Sequence, residues 1–93
     1  QVPVPLTPAA AVNAAMTATE AKVQALVEAG VPGTGTATDA VAICWPTGPD
    51  PAPYGGPRSP WGARLARAVH DAVADGLSEP RPEGATGPRG EPA

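Results

Sequence analysis

The chain has 93 residues, of which 14 are proline and 11 glycine, and its aromatic content is only 3%. A formal net charge of −3 with six Lys and Arg argues against the basic surface that binds a nucleic-acid backbone. No apolar run approaches the roughly 18 residues of a membrane span, and the single Cys44 cannot form an intrachain disulfide, so we expect a cytoplasmic protein with no nucleic-acid or membrane partner.

The first predicted element is a helix that begins at Pro8. Thr7 is a typical N-cap, and proline suits the first helical position because its missing N–H would have no partner there. Gly30 is expected to end the helix as a residue with positive φ. Two stripes run along this helix: an apolar one expected to pack in the core, with Val12, Met16, Thr19, Val23, Leu26 and Val27, and a polar one, with Asn13, Thr17, Glu20 and Gln24.

A loop rich in glycine and threonine follows at residues 31–41. Its glycines let the backbone approach a ligand, while three threonine hydroxyls and the carboxylate of Asp39 supply hydrogen bonds and charge. We therefore expect this loop to hold a ligand. The continuous apolar run at residues 40–45 then predicts a strand covered on both faces, with Cys44 buried in the core.

The second half of the chain is predicted to contain a long loop, a second helix and a disordered tail. Residues 47–59 are rich in proline and glycine and have no periodicity, which is typical of a loop. Ser59 and Pro60 repeat the cap-and-proline signature, and the amphipathic helix that follows is expected to end at Gly76. The polar, proline-rich residues 78–93 predict the tail.

The one histidine, His70, lies on the polar side of the second helix. No second His or Cys stands at ligand spacing, so we expect no metal site and interpret His70 as a surface residue.

Together these elements predict an α/β fold in the order helix, glycine-threonine loop, buried strand, long loop, helix. The first helix has little before it to pack against, and a core built on Val, Leu, Ile and Ala in so short a chain is marginal. Residues 1–77 are therefore interpreted as the C-terminal part of a larger α/β domain.

Three motifs carry a resemblance to a known family. They are Thr19-Glu20-Ala21-Lys22 on the first helix, Gly33-Thr34-Gly35-Thr36 followed by Thr38-Asp39-Ala40-Val41, and, on the last helix, Gly62 with Leu65, Arg67-Ala68 and Val69. Over residues 6–77 the chain resembles the adenosylcobinamide amidohydrolase family.

This resemblance implies an enzyme that hydrolyses the amide joining aminopropanol to the corrin side chain of adenosylcobinamide. The product, adenosylcobyric acid, would enter B12 synthesis by salvage. The corrinoid is then the substrate, no cofactor is implied, and the activity is expected of a longer parent chain.

The resemblance also implies roles for individual residues. Asp39 is a general base or orienting carboxylate, Glu20 is a second catalytic residue, and Lys22 binds substrate together with the loop residues Gly33, Thr34, Gly35, Thr36 and Thr38. Backbone N–H groups around the glycines could bind an oxyanion. The structural alternatives are that Asp39 caps a turn and that Glu20 and Lys22 lie on a solvated helix face; residues two apart do not meet on a helix, so these two cannot pair.

A second class of function stays open at this point. The chain could be a truncated fragment without catalytic activity that binds a corrinoid or another protein.

Overall fold

A computed structural model describes residues 1–78. Its two α-helices are α1 at Pro8–Glu28 and α2 at Pro60–Ser78, and no strand occurs within the described residues. The prediction of an α/β fold is therefore wrong, because this part of the chain is all-helical. Of the predicted tail at residues 78–93, only Ser78 is described, and it is the last residue of α2.

Both helix starts are confirmed. The Thr7 hydroxyl accepts a hydrogen bond from the N–H of Ala10 at 3.0 Å, and Pro8 occupies the first helical position. The Ser59 hydroxyl accepts from the N–H of Gly62 at 3.1 Å ahead of α2. Each side chain thus satisfies one of the amides that a helix start leaves without a partner.

The end of α1 is also confirmed. Gly30 has a φ of 77°, its N–H donates to the carbonyl of Val27, and the N–H of Val31 donates to the carbonyl of Leu26, both at 3.0 Å. This pair of bonds is a Schellman motif, in which glycine avoids the strain that a Cβ would cause. In contrast, α2 continues through Gly76 to Ser78, so its predicted end is two residues short.

The buried face of α1 differs from the predicted one. The side chains of Val12, Met16 and Val27 are 63%, 57% and 65% exposed. Short side chains pack towards α2 instead, because they let the second helix and the loop before it approach closely. The buried residues of α1 are Ala10, Ala14, Thr17, Ala18, Ala21 and Ala25.

Glycines in and before α2 make this close approach possible. A Cβ on Gly55 would collide with the carbonyl oxygen of Ala10, and a Cβ on Gly62 would collide with that of Gly56. The buried hydroxyl of Thr17 donates to the carbonyl of Gly55 at 2.7 Å and thereby ties the loop to α1. Backbone and small side chains therefore form the contacts of the loop before α2 with α1 and with the start of α2.

The predicted strand at residues 40–45 is wrong as well. This segment meets the N-terminal residues, where the N–H of Val2 donates to the carbonyl of Cys44 at 2.9 Å, but Pro3 and Pro5 lack the N–H groups that a ladder needs. Ile43 packs against the core, whereas Cys44 is exposed rather than buried. An extended chain without a continuous partner cannot form a sheet.

Candidate functional site

A cleft of about 320 Å³ lies between α1 and α2. The two helices run roughly parallel. Near the start of α2, Trp61 packs against the core cluster that includes Ala14 from the first half of α1. Further along α2, His70 reaches Glu28 at the end of α1. The polar lining of the cleft comes from Thr17, Glu20, Gln24 and Glu28 of α1 and from Arg67, His70 and Asp71 of α2.

Three of the α1 residues, Glu20, Gln24 and Glu28, share one face because they are spaced four apart. The Gln24 amide donates to Glu28 Oε1 at 3.1 Å and steadies that carboxylate. Glu20 lies about 12 Å from Glu28 along the helix axis, from eight residues at about 1.5 Å each. Three residues of the predicted polar stripe, Thr17, Glu20 and Gln24, therefore line the cleft, whereas Asn13 does not.

His70 is held in this cleft by an ion pair between the helices. Its Nε2 lies 2.5 Å from Glu28 Oε2, and its side chain is 30% exposed. His70 thus lies at the surface, as interpreted from the sequence, but it is paired with α1. The Glu28 carboxylate raises the pKa of His70 above its ordinary value of 6.5, and the hydrogen bond to His70 lowers the pKa of Glu28.

A second polar cluster lies on the glycine-threonine loop. Lys22 Nζ is 2.6 Å from Asp39 Oδ2, and Asp39 Oδ1 accepts from the N–H of Thr36 at 3.0 Å and from its hydroxyl at 2.5 Å. The Lys22 ammonium and, after it, the Thr36 donors hold the pKa of Asp39 far below its usual range. Asp39 thus organises a turn of the loop and ties it to α1.

Gly35 is required by this cluster. A Cβ at this position would collide with Asp39 Oδ2 and would lie 2.9 Å from Lys22 Nζ. The N–H of Thr38 points to the Thr36 hydroxyl at 3.4 Å, which extends the same turn. The glycine-threonine pattern is therefore explained by the Lys22–Asp39 ion pair as well as by ligand binding.

The structure separates the predicted site residues into two groups. Glu20 lines the cleft, whereas Lys22 and the loop residues Gly33, Thr34, Gly35, Thr36, Thr38 and Asp39 lie outside its lining. The loop residues are all exposed. Glu20 and Asp39, the two predicted catalytic carboxylates, are consequently not partners in one cleft.

Sequence reasoning did not single out Glu28, Arg67 and His70 as site residues. The polar stripe on α1 was a signal for Glu28, since it continues the spacing of Glu20 and Gln24 by one turn. Arg67 and His70 join the site only because α2 docks on α1, and this docking depends on contacts between residues far apart in sequence.

Two further findings concern the described residues. Across residues 1–78, no three His, Cys, Asp or Glu side chains are grouped so that they could hold a metal ion. Neither α1 nor α2 is long and apolar enough to cross a membrane.

Comparison with known proteins places these features in one family. The family model described as adenosylcobinamide amidohydrolase (CbiZ) matches residues 1–85. No curated protein and no solved structure matches the chain.

Proposed function

The chain belongs to the adenosylcobinamide amidohydrolase family, and from this premise we propose that the protein hydrolyses the aminopropanol amide of adenosylcobinamide. In this reaction water adds to the amide carbonyl and the C–N bond breaks, which gives adenosylcobyric acid and aminopropanol. The observation that carries the proposal is the family match over residues 1–85, which includes both helices and the loop.

The inter-helix cleft is the part of this chain best suited to the chemistry. Amide hydrolysis needs a base for the attacking water and charged groups near the developing oxyanion. Glu20 offers a carboxylate in the cleft, and Arg67 on the opposite helix offers a permanent positive charge. Glu20 is therefore the residue we propose as general base.

Asp39 is better suited to a supporting role. A carboxylate with a strongly lowered pKa is a weak proton acceptor near neutral pH, and both of its oxygens already accept hydrogen bonds. We assign to Asp39 the positioning of the loop, through Lys22 and Thr36. Substrate contacts would then come from the exposed backbone at Gly33 and the hydroxyls of Thr34 and Thr38.

The test is to incubate the full-length protein with adenosylcobinamide and to follow adenosylcobyric acid and 1-amino-2-propanol by mass spectrometry. Water labelled with ¹⁸O should place one label in the new carboxylate. Glu20→Gln should lower turnover by about 10²–10⁴-fold, as loss of a general base does. Asp75→Asn, an exposed carboxylate of α2 outside the cleft lining, is the matched control.

Two outcomes would contradict the proposal. Binding of adenosylcobinamide with no release of acid would favour a corrinoid-binding protein without turnover. Full activity of Glu20→Gln would remove Glu20 from the reaction and leave the cleft without its base.

A further inference from the structure

We propose that His70 is a further catalytic residue, the general acid that protonates the leaving nitrogen of aminopropanol in the inter-helix cleft. This inference rests on the proposed function, since it assigns a step of that reaction. His70 is the single histidine of the chain and was not among the residues that the family motifs suggested.

Cleavage of the amide C–N bond requires a general acid. An alkylamide nitrogen leaves poorly as an anion, so a proton must reach it as the C–N bond breaks. Histidine is the side chain whose unperturbed pKa allows it to carry and release a proton near neutral pH. Arg67, the other cation in the cleft, cannot release one.

The geometry prepares His70 for this role. Glu28 Oε2 lies 2.5 Å from Nε2 and fixes the orientation of the ring, while Gln24 holds the other oxygen of Glu28 at 3.1 Å. Nδ1 makes a longer ion-pair contact with Asp71 Oδ1 at 3.8 Å, and because this exceeds hydrogen-bond distance, we infer that Nδ1 can donate to a substrate. The contact with Glu28 also raises the pKa of His70, which keeps the acid form populated.

The dimensions of the cleft define what enters it. Its volume of about 320 Å³ suits a side-chain amide with its short aminopropanol arm, whereas the corrin ring must stay outside. Glu20 and Glu28 are about 12 Å apart along α1. Because Glu28 holds His70, the proposed base and acid line the same cleft about two turns of α1 apart.

The step balances in atoms and protons. Glu20 takes a proton from water as the water oxygen bonds to the carbonyl carbon, and His70 gives its proton to the amide nitrogen as the C–N bond breaks. The carboxylic acid and amine that form then exchange a proton and become carboxylate and ammonium. The proton on Glu20 returns to His70 through solvent and restores both groups.

The experiment compares His70→Gln with the wild type in the full-length protein. On adenosylcobinamide we expect kcat to fall by about 10²–10⁴-fold and the alkaline limb of the kcat–pH profile to disappear. On a p-nitroanilide of the same corrinoid acid, whose leaving group needs less protonation, the loss should be much smaller. Glu28→Gln should move the alkaline limb to lower pH, because it removes the main cause of the raised His70 pKa.

A measurement on the wild type does not depend on whether a variant folds correctly. The pKa of His70, measured by NMR in the substrate-free wild type, should equal the alkaline pKa of kcat/KM, which reports the free enzyme. A mismatch, or a His70→Gln variant that keeps both its kcat and its alkaline limb, overturns the role of His70 while leaving the proposed function intact. A wild type that releases no adenosylcobyric acid overturns both.

Discussion

Lys22 Nζ lies 2.6 Å from Asp39 Oδ2, so a single ion pair joins the middle of α1 to the glycine-threonine loop. The two residues are 17 positions apart in the chain. Lys22 contacts the loop and does not line the inter-helix cleft, whereas Glu20, two residues before it, does. Glu20 and Lys22 therefore belong to different parts of the structure, the cleft and the ion pair with the loop.

Removal of the Lys22 ammonium group should raise the pKa of Asp39. In Lys22→Met, we expect the pKa of Asp39 to rise towards its usual value of 3.8, because the Lys22 hydrogen bond is the largest cause of its lowering. NMR titration of the Asp39 carboxyl carbon measures this change. Arg58→Met, at an exposed loop residue, is the control, and an equal shift in both variants would mean that the ion pair does not form.

Variants of the same two residues distinguish whether Asp39 positions the loop or acts as the general base. If Asp39 only holds the loop, Asp39→Asn and Lys22→Met should reduce turnover of adenosylcobinamide to similar extents, and the double variant should lose little more than either one. A loss of about 10²–10⁴-fold confined to Asp39→Asn would instead identify Asp39 as the base. Steady-state kcat of the three variants decides between these outcomes.

The His70–Glu28 pair should make stability depend on pH. Because the pKa of His70 is raised, its contribution to folding stability is complete below pH 6.5 and is lost as pH rises through its folded-state pKa. The lowered pKa of Glu28 means that its contribution is present above 4.5 and is lost as pH falls through its folded-state value. The Tm difference between wild type and Glu28→Gln should therefore be largest between pH 4.5 and pH 6.5; a difference independent of pH would contradict the pairing.

Two glycines of α2 should respond in opposite ways to alanine. Gly62→Ala places a Cβ against the carbonyl oxygens of Gly55 and Gly56, so we expect a loss of about 1–3 kcal/mol in the free energy of unfolding. Gly76→Ala meets open space inside the helix and should gain about 0.5–1 kcal/mol from helix propensity. Urea denaturation measures both, and equal effects would show that α2 does not approach the loop closely.

The buried hydroxyl of Thr17 should matter more than the exposed one of Thr19. Thr17→Val keeps the shape of the side chain but leaves the carbonyl of Gly55 without its donor, at a cost of about 1–3 kcal/mol. Thr19 donates to the Ala15 carbonyl of its own helix, and Thr19→Val should change stability by less than about 0.5 kcal/mol. A neutral Thr17→Val would show that the loop is not anchored at Gly55.

The helix starts, the end of α1 and the family were determined by the sequence itself. Caps depend on atoms within one turn of the chain, so Thr7, Ser59 and the positive φ of Gly30 could be predicted without knowledge of the rest of the fold. The family resemblance rested on short motifs around Glu20 and Asp39, and the match over residues 1–85 confirms it.

Tertiary structure alone decided which surfaces meet. Apolar spacing favoured Val12 and Met16 as core residues, yet close approach of two helices selects the smallest side chains, and α1 buries its alanines. The apolar run at residues 40–45 has strand character, but a strand exists only when a partner supplies a ladder of hydrogen bonds. Glu28 and His70 are 42 positions apart, and only the docking of α2 on the alanine face brings them into one cleft.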